Sequence, residues 1–191
     1  MYPEIKIELK KKSDELLEAL SNQEIIIDAV ETEDAIGTIL RFHLYFETML
    51  SLYLSEMMSD EEAAYIGDLR DYAAKMRFAV AYKLPLCLAA VFRQANNIRN
   101  KVAHNHGQAL GKGDVQQFAR LVNALVELNH EFKPVEKCWI AVPKKGPEHK
   151  ALYGDDLRYD FIMCCMSFYT EALRHFFLTF AKARGVTLAT K

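Results

Sequence analysis

The residues of this chain best suited to chemistry lie between Val91 and His106, where Asn96, Asn97, Arg99, Asn100, His104 and His106 occur within eleven positions. Arg99 offers a permanently charged, two-pronged donor to phosphate or carboxylate oxygens. His104 offers an imidazole, which titrates near neutral pH and transfers protons. On a helix wound at about 100° per residue, Leu88, Val91, Ala95, Ile98 and Val102 form one apolar stripe, and Asn96, Asn97, Asn100 and His104 line a polar arc opposite it. Arg99 flanks that arc. Asparagine is a mediocre helix former, so three of them in five positions cost local stability without supplying core volume. Two accounts stand side by side. In one, Asn97 and Asn100 satisfy backbone groups at a fraying helix end, with Arg99 and His104 favoured there by the helix dipole. In the other, the arc is a site.

Around this stretch, His106 follows at H-x-H spacing without an acidic or thiol partner for a metal set, which makes it a loop histidine supporting the site. Arg41, His43 and Glu47 interrupt a run that is apolar nearly all round, where polar groups must find partners or face a cleft. Arg41 reads as a flanking charge. A buried carboxylate is costly unless paired, and Arg99 is the obvious candidate for Glu47. Tyr153, Tyr159, Tyr169, Phe161, Phe168 and Phe176 have the spacing of core or interface aromatics rather than of a base-stacking platform. Lys144, Lys145 and Lys150 read as solvated loop lysines, and Lys10-Lys11-Lys12 as a solubilising patch. Cys87, Cys138, Cys164 and Cys165 lack paired metal spacing and read as reduced core thiols.

The elements that must position these residues read as helices. The pattern predicts helices over about Glu4–Leu20 and Ile25–Met58, the second broken near Thr32 or Gly37, with a capping segment over Ser21–Glu24. A short acidic turn or helix begins at Ser59, and Asp71–Leu84 forms a helix stopped by Pro85. Pro85 suits the first turn of the next helix, to about Ala103, and a loop with three glycines follows. Asp114 is placed to cap a helix over Val115–Glu131. From Lys133 to Asp156, prolines and glycines mark an excursion in which Cys138–Val142 reads as a strand or hairpin arm. A final helix runs from Asp156 to about Arg184 and ends at Gly185.

The hexapeptide Arg99-Asn100-Lys101-Val102-Ala103-His104 resembles the signature of the HEPN superfamily (higher eukaryotes and prokaryotes nucleotide-binding), an Arg and a His four to six residues apart with a polar residue directly after the Arg. Lys75–Pro85 and Ile98–Asn105 resemble the mannitol-repressor-like branch of that superfamily, and the likeness covers about Ile36–Glu131. It implies a helical bundle that dimerises so that two copies of the motif face one another across a cleft. Many members are metal-independent endoribonucleases, among them toxins of toxin–antitoxin pairs and phage-defence effectors, whereas the mannitol-repressor group are noncatalytic regulators binding a protein or nucleotide. The resemblance therefore implies catalytic roles for Arg99, His104 and Asn100, a homodimer, an RNA substrate, an antitoxin or regulatory protein as partner, and no cofactor or metal. Such chemistry is coherent: a base takes the proton of the 2′-hydroxyl as it attacks phosphorus, an acid protonates the departing 5′-oxygen, and a cation stabilises the phosphorane. Asn100 would orient the ribose or the His104 ring. An offset of five sets Arg99 and His104 about 140° apart on an ideal helix, so either the helix ends before His104 or a second protomer completes the site.

Composition bounds these readings. The chain has 191 residues, 51% of them apolar, with 8 Gly and 5 Pro. That favours a single all-α domain over residues 1–191, its motif-bearing core at about 23–131 with the helix at about 156–184 packed on it. The net charge of −2 argues against a protein that holds nucleic acid through a dominant positive field while leaving a local basic site open, and a pI near 6.3 favours the regulator over the enzyme. Nucleotidyl transfer ranks last, because neither a Gly-rich phosphate loop nor clustered acidic ligands accompany the motif. Neither a secretory leader nor a bilayer-spanning stretch is read, which leaves a cytoplasmic protein, without membrane contact, as the expectation.

Overall fold

A computed structural model describes residues 8–104, 110–142, 144, 146 and 148–186. Three helices come first: α1 (Lys11–Ser21), α2 (Gln23–Glu31) and α3 (Ala35–Met57). They are separate because Asn22 and Asp34 each take up an orphan amide as N-caps, from Glu24 and Ile36, while Thr32 is extended and ends α2. The expected interruption of the long helix thus falls at Thr32–Asp34, and Gly37 lies inside α3. The expected start of the first helix at Glu4 lies outside the described residues. Within them, helix begins at Lys11.

α4 (Asp60–Ile66) opens on a capping box, in which the Ser59 side chain accepts from the Glu62 amide and the Glu62 carboxylate from the Ser59 amide. α5 (Tyr72–Ala81) is capped by Asp71 and stops three residues short of expectation, turning through Lys83 at a φ of 71° before Pro85. α6 (Leu86–His104) carries the motif. α7 runs from Lys112 to Asn123 and gives way to a 3-10 turn over Ala124–Glu127, well short of Glu131. Asn123 explains the early stop. Its amide accepts from Val135 N at 2.9 Å and donates to the Glu136 carboxylate, tying the helix end to the following segment. Gly111, not Asp114, stands at the N-cap; Asp114 lies in the first turn and pairs with Lys101 of α6 instead.

The excursion holds a hairpin, β1 (Trp139–Ala141) antiparallel to β2 (Lys150–Leu152), with Ile140 opposite Ala151. Its lysines have local work: Lys144 reaches Glu31 at 3.2 Å and Lys150 lies 4.3 Å from the Trp139 ring centroid. Lys145 lies outside the described residues. α8 (Leu157–Ala183), capped by Asp156, returns through the bundle.

α3 and α8 supply the centre of the core. Phe168 of α8 meets Phe46 of α3 and Phe92 of α6 edge to face at 5.1 and 4.8 Å between centroids, and all three are fully buried. Each such ring stabilises the fold by roughly 1.5–3 kcal/mol through burial, so this cluster fixes α6 against the rest of the molecule. Phe161, Phe176 and Tyr159 are buried too, and Tyr169 donates to Leu20 O, so these aromatics are core, as their spacing predicts. The four thiols are free, Cys164 and Cys165 buried and Cys87 and Cys138 half-buried. Burial pushes the Cys164 and Cys165 thiols well up, which keeps them protonated and unreactive. Among the described residues no helix is long and apolar enough to cross a membrane.

Candidate functional site

α3, α5 and α6 pack against one another and bring seven polar or aromatic residues together on their shared flank: His43 and Glu47, Tyr72 and Lys75, and Asn96, Arg99 and Asn100. The spacings of four on α3 and three on α5 and α6 stack each set on one helix face. Each member has a specific partner. His43 Nε2 lies 3.0 Å from Asn96 Oδ1, and an oxygen there requires Nε2 to carry the proton. The imidazole stacks on Tyr72, 4.5 Å between centroids at 27°, and the Tyr72 hydroxyl donates to Phe92 O at 2.9 Å. Lys75 Nζ donates to Glu47 Oε1 at 2.8 Å.

Glu47 is therefore held by Lys75, not by Arg99 as its sequence position suggested. The helical pattern says which face of α3 a carboxylate occupies, but not which neighbouring helix supplies the cation. The Arg99 guanidinium donates from Nη1 to Asn100 Oδ1 at 2.9 Å. Through that contact Asn100 orients Arg99, and its amide N–H groups stay available as donors. Arg99 Nε is buried and has no hydrogen-bond partner among the described residues. Leaving a buried donor unsatisfied costs about 1–3 kcal/mol.

The account in which Asn97 and Asn100 merely cap a fraying helix is not what the hydrogen bonds show for Asn100, whose oxygen serves the Arg99 side chain as that of Asn96 serves His43. Asn97 is exposed, off the cluster. His104 is the last residue of α6, so the helix does not end before it; its side chain, like the whole of His106, lies outside what the structure describes. Lys101 and Asp114 pair across the ends of α6 and α7, holding together the two sides of the loop that joins them.

Lys75 and Tyr72 are the members that sequence reasoning missed. His43 and Glu47, four apart in an apolar run, were the available signal that a polar surface faces α3, and Tyr72 and Lys75 share one face of α5 in the same way. Beside this cluster, α3 carries an exposed apolar stripe of Ile36, Leu40 and Leu44, which are 43, 40 and 62% exposed. Ile36 and Leu40 lie seven residues before His43 and Glu47, on nearly the same side of the helix.

Burial lowers the pKa of His43 below 6.5; Asn96 opposes this, Arg99 reinforces it, and Glu47 opposes it. His175 of α8 is lowered as well, first by burial and then by Arg174. The unfolded chain therefore takes up protons on these imidazoles before the folded one does. Their contribution to stability is complete above the unfolded value and is lost as the pH falls through it toward the folded values. The melting temperature should accordingly drop between about pH 7.5 and pH 5.5, and drop less in His43→Gln. Melting curves with equal pH dependence in both proteins would contradict this placement of His43; His175→Gln isolates the remainder.

Comparison of the chain with family models, with curated proteins and with solved structures finds no match. Function must therefore be argued from the cluster itself and from the motif that runs through it. Among the described residues no group of His, Cys, Asp and Glu could hold a metal ion.

Proposed function

We propose that the chain is a metal-independent endoribonuclease of HEPN type, toxin-like or defensive in role, whose site is completed by a second copy across a dimer cleft. The observation that carries this reading is Arg99: its guanidinium, half-buried on the last turns of α6, is oriented by Asn100, whose Oδ1 accepts from Nη1. A donor held ready in this way suits the charge that develops on a phosphorane, which is where such a contact accelerates reaction. His104 is the proton-transfer group. The 2′-oxygen bonds to phosphorus as its proton passes to a base, the bond to the 5′-oxygen breaks as that oxygen gains a proton, and the products are a 2′,3′-cyclic phosphate and a 5′-hydroxyl.

Geometry supports the second copy. α6 stays helical through position 104, so on one chain positions 99 and 104 lie about 140° apart around the helix axis, and a symmetry mate can return an imidazole to each guanidinium. The Ile36–Leu40–Leu44 stripe beside the cluster supplies apolar surface for that contact. The same stripe favours the second reading, a noncatalytic regulator of the mannitol-repressor kind that docks a protein there.

Incubation of the purified protein with single-stranded and structured RNA in excess EDTA distinguishes the two. Cleavage by the wild type and none by His104→Ala supports the enzyme; intact RNA with a folded wild-type dimer supports the regulator. Cleavage undiminished in the variant would remove His104 from the chemistry.

A further inference from the structure

We propose that the cleft between α1, α3, α4 and the start of α5 binds a run of phosphates, as the continuation of an RNA strand whose scissile phosphate lies at Arg99. The cleft has a volume of about 1130 Å³ and is walled on one side by Glu47 and Lys75, so it adjoins the polar cluster directly. Five cations line it, Lys10, Lys11, Lys12, Arg70 and Lys75, against the three carboxylates Glu47, Asp60 and Asp68.

Two of the cations are engaged. Lys10 Nζ donates to Met58 O at 2.7 Å and to Asp60 at 3.0 Å, and Lys75 is held by Glu47. Lys11, Lys12 and Arg70 are exposed and have no ion-pair partner among the described residues, leaving Asp68 as the one acidic lining group outside those pairs. On a chain of net charge −2, that is a local excess of positive charge. The three cations come from two separate elements, the first turn of α1 and the 67–70 connection, which suits repeated charges along a strand better than a single carboxylate. Leu16, Leu54 and Leu69 add apolar wall against which a ribose or base can lie.

The choice of RNA rests on the ribonuclease reading; the preference for phosphates rests on the cleft alone. Binding is therefore measured with full-length His104→Ala, which leaves the strand uncut, by fluorescence anisotropy of an end-labelled oligouridine at several salt concentrations. Adding Lys11→Gln, Lys12→Gln and Arg70→Gln, all at exposed positions, should raise Kd about tenfold or more and reduce the log–log salt slope by about 2, since each phosphate contact on a single strand contributes about 0.7. Thermal melting checks that the combined variant is folded. Displacement of the RNA by inorganic tripolyphosphate shows that free phosphates suffice; retention of the RNA shows that the strand itself is needed.

An unchanged Kd and slope in the combined variant, or no RNA binding by His104→Ala itself, overturns the proposal. RNA binding that depends on the three cations, without cleavage by the wild type, keeps the cleft and removes the ribonuclease reading. His104-dependent cleavage with cation-independent binding does the reverse.

Discussion

Under the proposed ribonuclease function, replacing Arg99 by alanine is expected to slow RNA cleavage by about 10²–10³-fold while leaving the helical content unchanged, because it would remove a preorganised donor to the phosphorane. The fold should survive, since Arg99 is half-buried at the last turns of α6 and its described hydrogen bond goes to its neighbour Asn100. Arg99→Lys should recover only part of the rate: an ammonium restores the charge but not the planar fork held by Asn100. Cleavage within threefold of wild type in Arg99→Ala would show that the guanidinium takes no part in the reaction.

The same variant tests whether two chains build each site. Arg99→Ala and His104→Ala, each inactive alone, are co-expressed with different tags so that mixed dimers form. If each site takes its guanidinium from one chain and its imidazole from the other, a mixed dimer contains one intact site. Random assortment then gives about a quarter of wild-type activity. A site drawn from one chain gives none. A continuous α6 through His104 favours the first outcome.

What the sequence disclosed of this site depended on how local the signal was. Helix α6 was legible almost to the residue, because Pro85 marks its start and the Leu88–Val102 stripe keeps one period throughout. α7 was overextended because its stop is not local: Asn123 is drawn to Val135 and Glu136, twelve and thirteen positions on. The same division runs through the site. That Arg99 and Asn100 are candidates was readable from residue type and spacing, and that His43 and Glu47 needed partners was readable from their setting. Which partners they take, Asn96 and Lys75, was not, because α3 meets both α5 and α6 on this flank and the choice between them is made by tertiary packing.

Phe168→Ala should be the most destabilising single change in the core, because Phe168 is fully buried and joins Phe46 of α3 to Phe92 of α6. Truncating a ring in such a position costs about 3–5 kcal/mol through lost burial and the cavity left behind. For a domain of this size that corresponds to a fall in Tm of about 6–20 °C, read by thermal or urea denaturation. Tyr65→Ala, at a position 95% exposed on α4, provides the contrast and should change stability by no more than about 0.5 kcal/mol. A loss below about 1 kcal/mol for Phe168→Ala would mean that the three rings are not packed as described. The consequence reaches the site as well. Phe92 lies seven residues before Arg99 on α6, and its carbonyl accepts from the Tyr72 hydroxyl, the ring that stacks on His43. A cavity beneath Phe92 therefore loosens both the helix that carries Arg99 and the contact that holds His43, so cleavage should decline below the temperature at which the variant unfolds.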